Sequence, residues 1–239
     1  MANFKTHMVV GASASGVSST LLLSGGTVSG SEAFLLFTLG SLASLLPDLD
    51  SKTSVPFKIT SSLLSVFLAF FVIFSKPNYS LFEMAILWFG TFYGIRHLAT
   101  PLFLKMTSHR GIFHSIPMAL LFGLVGSIAM KSFFWTGNSI ALWSGFFITF
   151  GYLVHLTLDE IYSVDLTNHR LKKSFGTALS IWKKDNVLGM IALYSAVIFL
   201  SAMINFDPIF QTLGNEHFYM ELSEKLFPKG TWFENLFHF

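Results

Sequence analysis

Apolar runs of membrane-spanning length recur along this chain, and they limit the fold more than any other feature. They fall at roughly 8–24, 32–47, 59–75, 81–104, 115–132, 138–162 and 187–205. A helix crosses the bilayer hydrocarbon with about 20 apolar residues. A soluble chain of 239 residues that is 52% hydrophobic and only 12% charged could not hide this surface in one core; soluble domains run near 25% charged. Lipid can solvate it. The expectation is an all-α, polytopic transmembrane helix bundle of about seven spans.

The first run is atypical. It is rich in small residues (Gly11, Ala12, Ser13, Ala14, Ser15, Gly16, Ser18, Ser19). Small residues let helix backbones approach closely, so this helix is expected to be central and covered by protein. The short second run reads as a full span or a re-entrant one. No internal repeat or linker is evident. Residues 1–205 read as one membrane-embedded domain, and 206–239 as an aromatic-rich tail of short amphipathic helices at the interface. The start of the chain lacks the pattern of a secretory signal, so residue 1 is expected to be retained.

Charge placement gives a topology. If all seven runs cross, one side carries Lys5, Lys52, Lys58, Lys105, Arg110, Arg170, Lys172, Lys173, Lys183 and Lys184. The opposite loops carry Lys76 and Lys131, and the tail adds Lys225 and Lys229. The positive-inside rule makes the first side, and the N-terminus, cytoplasmic. A net charge of +2 argues for no nucleic-acid partner. The basic stretch 163–186 reads either as a site for anionic headgroups or as a positive-inside loop with no further duty.

Four polar motifs interrupt the apolar pattern: Thr6-His7, Leu46-Pro47-Asp48-Leu49-Asp50, the block His109 to Ser115, and the helix Gly151 to Asp159. All fall at or near the cytoplasmic ends of the runs, a topology that rests on hydropathy and Lys/Arg and not on His or Asp. His155 and Asp159 are four apart and share a helix face, so both can chelate one cation. Asp48 and Asp50, two apart in an extended turn, would aim side by side. A turn at Arg110-Gly111 followed by a helix start could aim His109 and His114 inward. Cysteine is absent, so any metal must be held by imidazole and carboxylate, which suits zinc and also manganese or iron. His7, Asp48, Asp50, His109, His114, His155 and Asp159 are the ligand candidates. The full set exceeds one tetrahedral ion and fits two better. Asp50 or Asp159 could serve as general base, and Arg110 could hold an anionic oxygen of the substrate.

Simpler readings stand beside these. An isolated His at a membrane surface is usually only a polar interfacial residue, and His169, His217 and His238 are read so. Asp48 and Asp50 could cap a turn, and His155 with Asp159 could be a structural pair. Arg96 and His97 lie within the fourth run, where ionisable groups are costly. Arg96 reads either as holding a site carboxylate or as a buried ion pair orienting helices. Pro101 should kink that helix.

The motifs, in this order, resemble the LexA-regulated, YdjM-like family of bacterial inner-membrane metal-dependent hydrolases. The resemblance covers most of residues 1–165, and His-Arg-Gly-Ile-Phe-His-Ser at 109–115 is its most specific part. Position 113 is Phe where many relatives look to have Thr. Tyr162 to Leu166 and Lys172 to Leu179 look like one branch of the family, with Asp165 supporting the site from outside it. The resemblance implies a multi-pass protein of the bacterial inner (cytoplasmic) membrane, a hydrolase with one or two divalent ions. Ligand type and helical setting are also distantly similar to zinc-dependent phospholipase C-like enzymes. Membrane lipids are the expected partners, and a lipid or lipid-linked phosphoester is the expected substrate. The alternatives are a metal-binding transporter and a non-catalytic membrane scaffold.

Overall fold

The computed structural model describes residues 3–50, 55–74, 78–99, 112–134, 136–165, 170–171, 176 and 178–226. Among the described residues it is all-helical apart from one hairpin of two-residue strands, Val164–Asp165 with Arg170–Leu171. Nine α-helices are described, here α1 (Phe4–Ser24), α2 (Gly30–Ala43), α3 (Val55–Ile73), α4 (Leu81–Gly94), α5 (Ile116–Phe134), α6 (Asn138–Ile161), α7 (Val187–Ser201), α8 (Asp207–Leu213) and α9 (Glu216–Leu226). Every apolar run is therefore largely helical. Three described segments have the length and hydropathy of a membrane crossing: Gly30–Asp48, Asn138–Ile161 and Lys184–Ser201.

Local chemistry sets several helix starts. Asn3 caps α1 by accepting the Thr6 N–H at 2.8 Å. Ser29 with Glu32, and Ser80 with Glu83, form reciprocal capping boxes at α2 and α4. Each pair satisfies two amide donors that a helix start leaves without intrahelical partners. The second run ends in a tight 3₁₀ turn, Leu46–Asp50. The expected extended geometry for Asp48 and Asp50 is thereby corrected. At three residues per turn, positions two apart do not share a face. The side chain of Asp50 lies outside the described residues.

The body is built on α6, which packs against α5, α2 and α1, while α7 packs on α5 and α3 pairs with α4. Helix α1 is not central. Its buried face is His7, Gly11, Ser15 and Ser19, at the four-residue spacing that keeps side chains on one face. Val9 and Val17 on its other side are exposed. The small residues thus serve one close contact and do not mark a helix enclosed all round. A Cβ at Gly11 would run into the Ser44 side chain, and one at Gly151 into the Gly40 carbonyl. These approaches bring α1, α2 and α6 together at the end where the polar motifs lie.

Two further expectations change. Among the described residues Arg96 pairs with no site carboxylate, and it is not buried. It is exposed and donates to the Ser62 hydroxyl, because α4 packs on α3 and away from α6. The helix widens into a π turn over Ile95–Ala99; Pro101 lies outside the described residues. The tail also does more than rest at an interface. Phe218 of α9 is buried with Leu22, Leu36 and Trp143, which pins α9 to the end of the bundle opposite the polar motifs.

Candidate metal centre

Alternating helix direction gathers the polar motifs. His7 opens α1, Asp48 follows α2, His114 precedes α5, and His155 with Asp159 closes α6. All five side chains meet at one end of the bundle. Asp159 Oδ1 lies 3.2 Å from His7 Nε2. Its Oδ2 lies 3.6 Å from both His114 Nε2 and His155 Nε2. His155 Nε2 is also 3.6 Å from Asp48 Oδ1. The group forms two overlapping triads, His7–His155–Asp159 and Asp48–His114–His155, each with ligand atoms within 4.8 Å of one another. His109 and Arg110 lie outside the described residues, as does the side chain of Asp50.

Histidine 155 carries most of the electrostatic information. Its Nδ1 is 2.7 Å from the Ser44 carbonyl oxygen. A carbonyl only accepts, so Nδ1 carries the proton. A neutral ring then presents a bare Nε2 lone pair to two carboxylate oxygens. Three electron-rich atoms facing one another need a cation among them. His7 stacks on His155 with ring centroids 3.7 Å apart. His7 Nδ1 and His155 Nε2 are buried without a hydrogen-bond partner among the described residues. Hydrogen-bonding one imidazole nitrogen to a carbonyl, leaving the other bare, is how metal-ligating histidines are usually held. The cluster fits a divalent cation.

Among the described ligand candidates, His7, His155 and Asp159 are buried and the Asp48 side chain is the most exposed, at 26%. His114 is held through its backbone neighbours: the Tyr152 hydroxyl donates to the Phe113 carbonyl at 2.6 Å. Phe113 itself sits in the apolar core with Phe122 and Tyr152, so the phenyl ring packs where a hydroxyl would add a polar contact. His217 pairs with Glu221 at 3.5 Å at the far end of the molecule, as expected for a histidine outside the site. His169, His238 and the side chain of Asp165 lie outside the described residues.

Sequence reasoning missed two supporting groups. Tyr152 precedes His155 by three and Asp159 by seven, a spacing that places all three on one helix face and could have marked it. The Ser44 carbonyl had no such signal, because any residue supplies the same oxygen.

Fold and site together define a helical membrane protein with a buried His/Asp cluster that can hold a metal ion at one end of its bundle. The sequence profile of the YdjM inner membrane protein family matches residues 1–206, and the chain belongs to that family. It is an inner membrane protein. No curated protein and no solved structure matches the chain.

Proposed function

We propose that this protein is a metal-dependent hydrolase of the inner membrane, acting on a lipid or lipid-linked phosphoester at the cytoplasmic face. The observation that carries the reading is His155, locked with its bare nitrogen toward two carboxylates. His7, Asp48, His114, His155 and Asp159 would hold the ion, with His109 and Asp50 completing the set for a second. Imidazole and carboxylate without thiolate favour zinc, with manganese or iron as alternatives. When bound, a divalent ion polarises water and neutralises charge on a phosphoryl oxygen. Asp159 is enclosed by three imidazoles and serves as a ligand, so when one ion is bound and Asp50 is unligated, the general base is assigned to Asp50. Arg110 is assigned to the substrate's anionic oxygen, for which its planar fork is suited.

A lipid substrate is supported by the surroundings. An apolar cleft of about 280 Å³ runs between α2, α3, α5 and α6, lined by Leu46, Leu68, Phe122, Val125 and Ile148 among others. Leu46 is two residues from Asp48, so an acyl chain in the cleft would leave its headgroup near the cluster. Lys and Arg in the flanking loops would favour an anionic surface by about 1 kcal/mol each. The reading includes seven crossings with the N-terminus in the cytoplasm, supported by the helices found at all seven apolar runs. Because the chain has no cysteine, single cysteines report topology cleanly. Thr27→Cys should react with an impermeant maleimide in intact spheroplasts, and Lys52→Cys only after permeabilisation. The opposite pattern would invert the site to the outer face.

Metal content of the detergent-purified protein tests the site. Wild type should carry stoichiometric metal, and Asp159→Ala and His155→Ala should lose it while remaining folded. Release of phosphate or headgroup from lipid phosphoesters by the loaded wild type would then support hydrolysis. Metal bound without turnover of any phosphoester would favour the scaffold. No metal in wild type after incubation with zinc, manganese or iron would overturn the metal reading.

A further inference from the structure

Glu160 is the neighbour of Asp159, yet it faces away from the cluster. Its carboxylate accepts two backbone N–H groups from a segment well ahead in sequence, Gly176 at Oε1 and Ala178 at Oε2, the latter at 3.3 Å. Two residues on, Ser180 pairs with Ser115 in a parallel bridge. The Ser180 carbonyl accepts the Ile116 N–H at 3.1 Å, and its hydroxyl donates to the His114 carbonyl at 3.3 Å. The far end is tied as well. The Tyr194 hydroxyl donates to the Ile181 carbonyl at 2.8 Å, and Trp182 stacks on Tyr194. Burial pushes the Lys183 ammonium below its ordinary value, opposed by the charges of Asp185 and Glu160. A short strap is thus strung from α6 to α7 across the loop that carries His114.

His114 belongs to no helix. It lies in a bend just before α5, so its backbone must be held by something other than an intrahelical ladder. Helix α6 supplies Asp159 directly, and through Glu160 it also grips the strap that pairs with residues 114–116. We infer that Glu160 is a positioning residue, fixing His114 against Asp159 through Gly176, Ala178 and Ser180. A carboxylate suits this task because both oxygens only accept, matching two amide donors. A glutamine would offer one acceptor and set its own N–H group against the other. The functional consequence rests on the metal reading above; the mechanical one does not.

Hydrogen exchange and zinc titration of the full-length protein in detergent test the two parts separately. In Glu160→Ala, the Ile116 amide should exchange at least about tenfold faster, with Glu160→Gln between it and wild type. Peptides from α2 should be unchanged. Zinc affinity should fall about tenfold, the usual lower cost of losing a supporting contact around a metal site. It should fall no further when Glu160→Ala is added to His114→Ala, because both changes act on one ligand. Unaltered exchange at 112–118 would overturn the proposal whether or not zinc binds. So would additive losses of zinc affinity, which would mean a general loosening of the fold. If wild type binds no metal, the metal reading falls and the exchange result alone decides the positioning role.

Discussion

The helices around the cluster and the α3–α4 hairpin are both apolar, but they are assembled differently. Where α1, α2 and α6 meet, the contacts are Gly11 with Ser44, and Gly40 with Gly151. Gly151 meets the Gly40 backbone and Gly11 meets the Ser44 side chain, and His7, Asp48, His155 and Asp159 each sit one or two turns from such a contact. In α4 no described residue is buried. Its large rings meet one another and α3, with Trp88 stacked on Phe92 at 5.2 Å and edge-on to Phe70 at 5.9 Å. Rings fill space without fixing how far apart two backbones lie. Backbone contact sets that distance closely, and a functional cluster needs its groups held to within about 0.5 Å. The comparison teaches that hydropathy reports burial in lipid or protein, whereas residue size reports where precision is required.

The largest effect should come from breaking a backbone contact. Gly151→Ala places a methyl where the Gly40 carbonyl stands, so α2 and α6 must move apart. Overpacking of this kind costs about 1–3 kcal/mol. It would also shift Ser44 and Asp48 relative to His155. The expected outcome is a lower thermal midpoint in detergent together with weakened metal binding, although no ligand has changed. A midpoint and a metal affinity equal to wild type would show that the close approach does not govern the site.

A smaller effect should follow from Tyr152→Phe. The phenol is buried, and its hydroxyl is the donor to the Phe113 carbonyl. Losing one such bond costs about 1 kcal/mol. Because Phe113 adjoins His114, the loss should appear as faster hydrogen exchange in residues 112–116 while the α3–α4 hairpin is unaffected. Equal changes in both regions would mean that the two halves are not mechanically separate.

Much of this was legible in the sequence. The apolar runs gave the helices, and their alternation put His7, Asp48, His114, His155 and Asp159 at one end. The i, i+4 spacing predicted the pairing of His155 with Asp159 directly. What stayed hidden depended on the backbone. A carbonyl that orients His155 is encoded by no particular side chain, and the 3₁₀ turn at Leu46–Asp50 looks like an extended turn when read as letters. Arg96 was misjudged because hydropathy shows that a residue lies in a helix but not which neighbour the helix chooses. The single buried face of α1 was readable from the four-residue spacing of His7, Gly11, Ser15 and Ser19, a stricter signal than its bulk content of small residues.

The smallest effect tests the other side of the comparison. Gly90, in the middle of α4, has nothing within 4 Å of where a Cβ would stand. Glycine inside a helix costs about 0.5–1 kcal/mol relative to alanine through backbone freedom in the unfolded chain. Gly90→Ala should therefore leave the thermal midpoint unchanged or raise it slightly, the opposite sign to Gly151→Ala for the same added methyl. The sign matters more than the size, since it asks whether this face of α4 is free. A midpoint lowered as far as that of Gly151→Ala would mean that α4 is closely packed in the purified particle, against a second copy of the chain or another part of this one. The hairpin would then be a second precise interface, and the contrast with the helices around the cluster would fail.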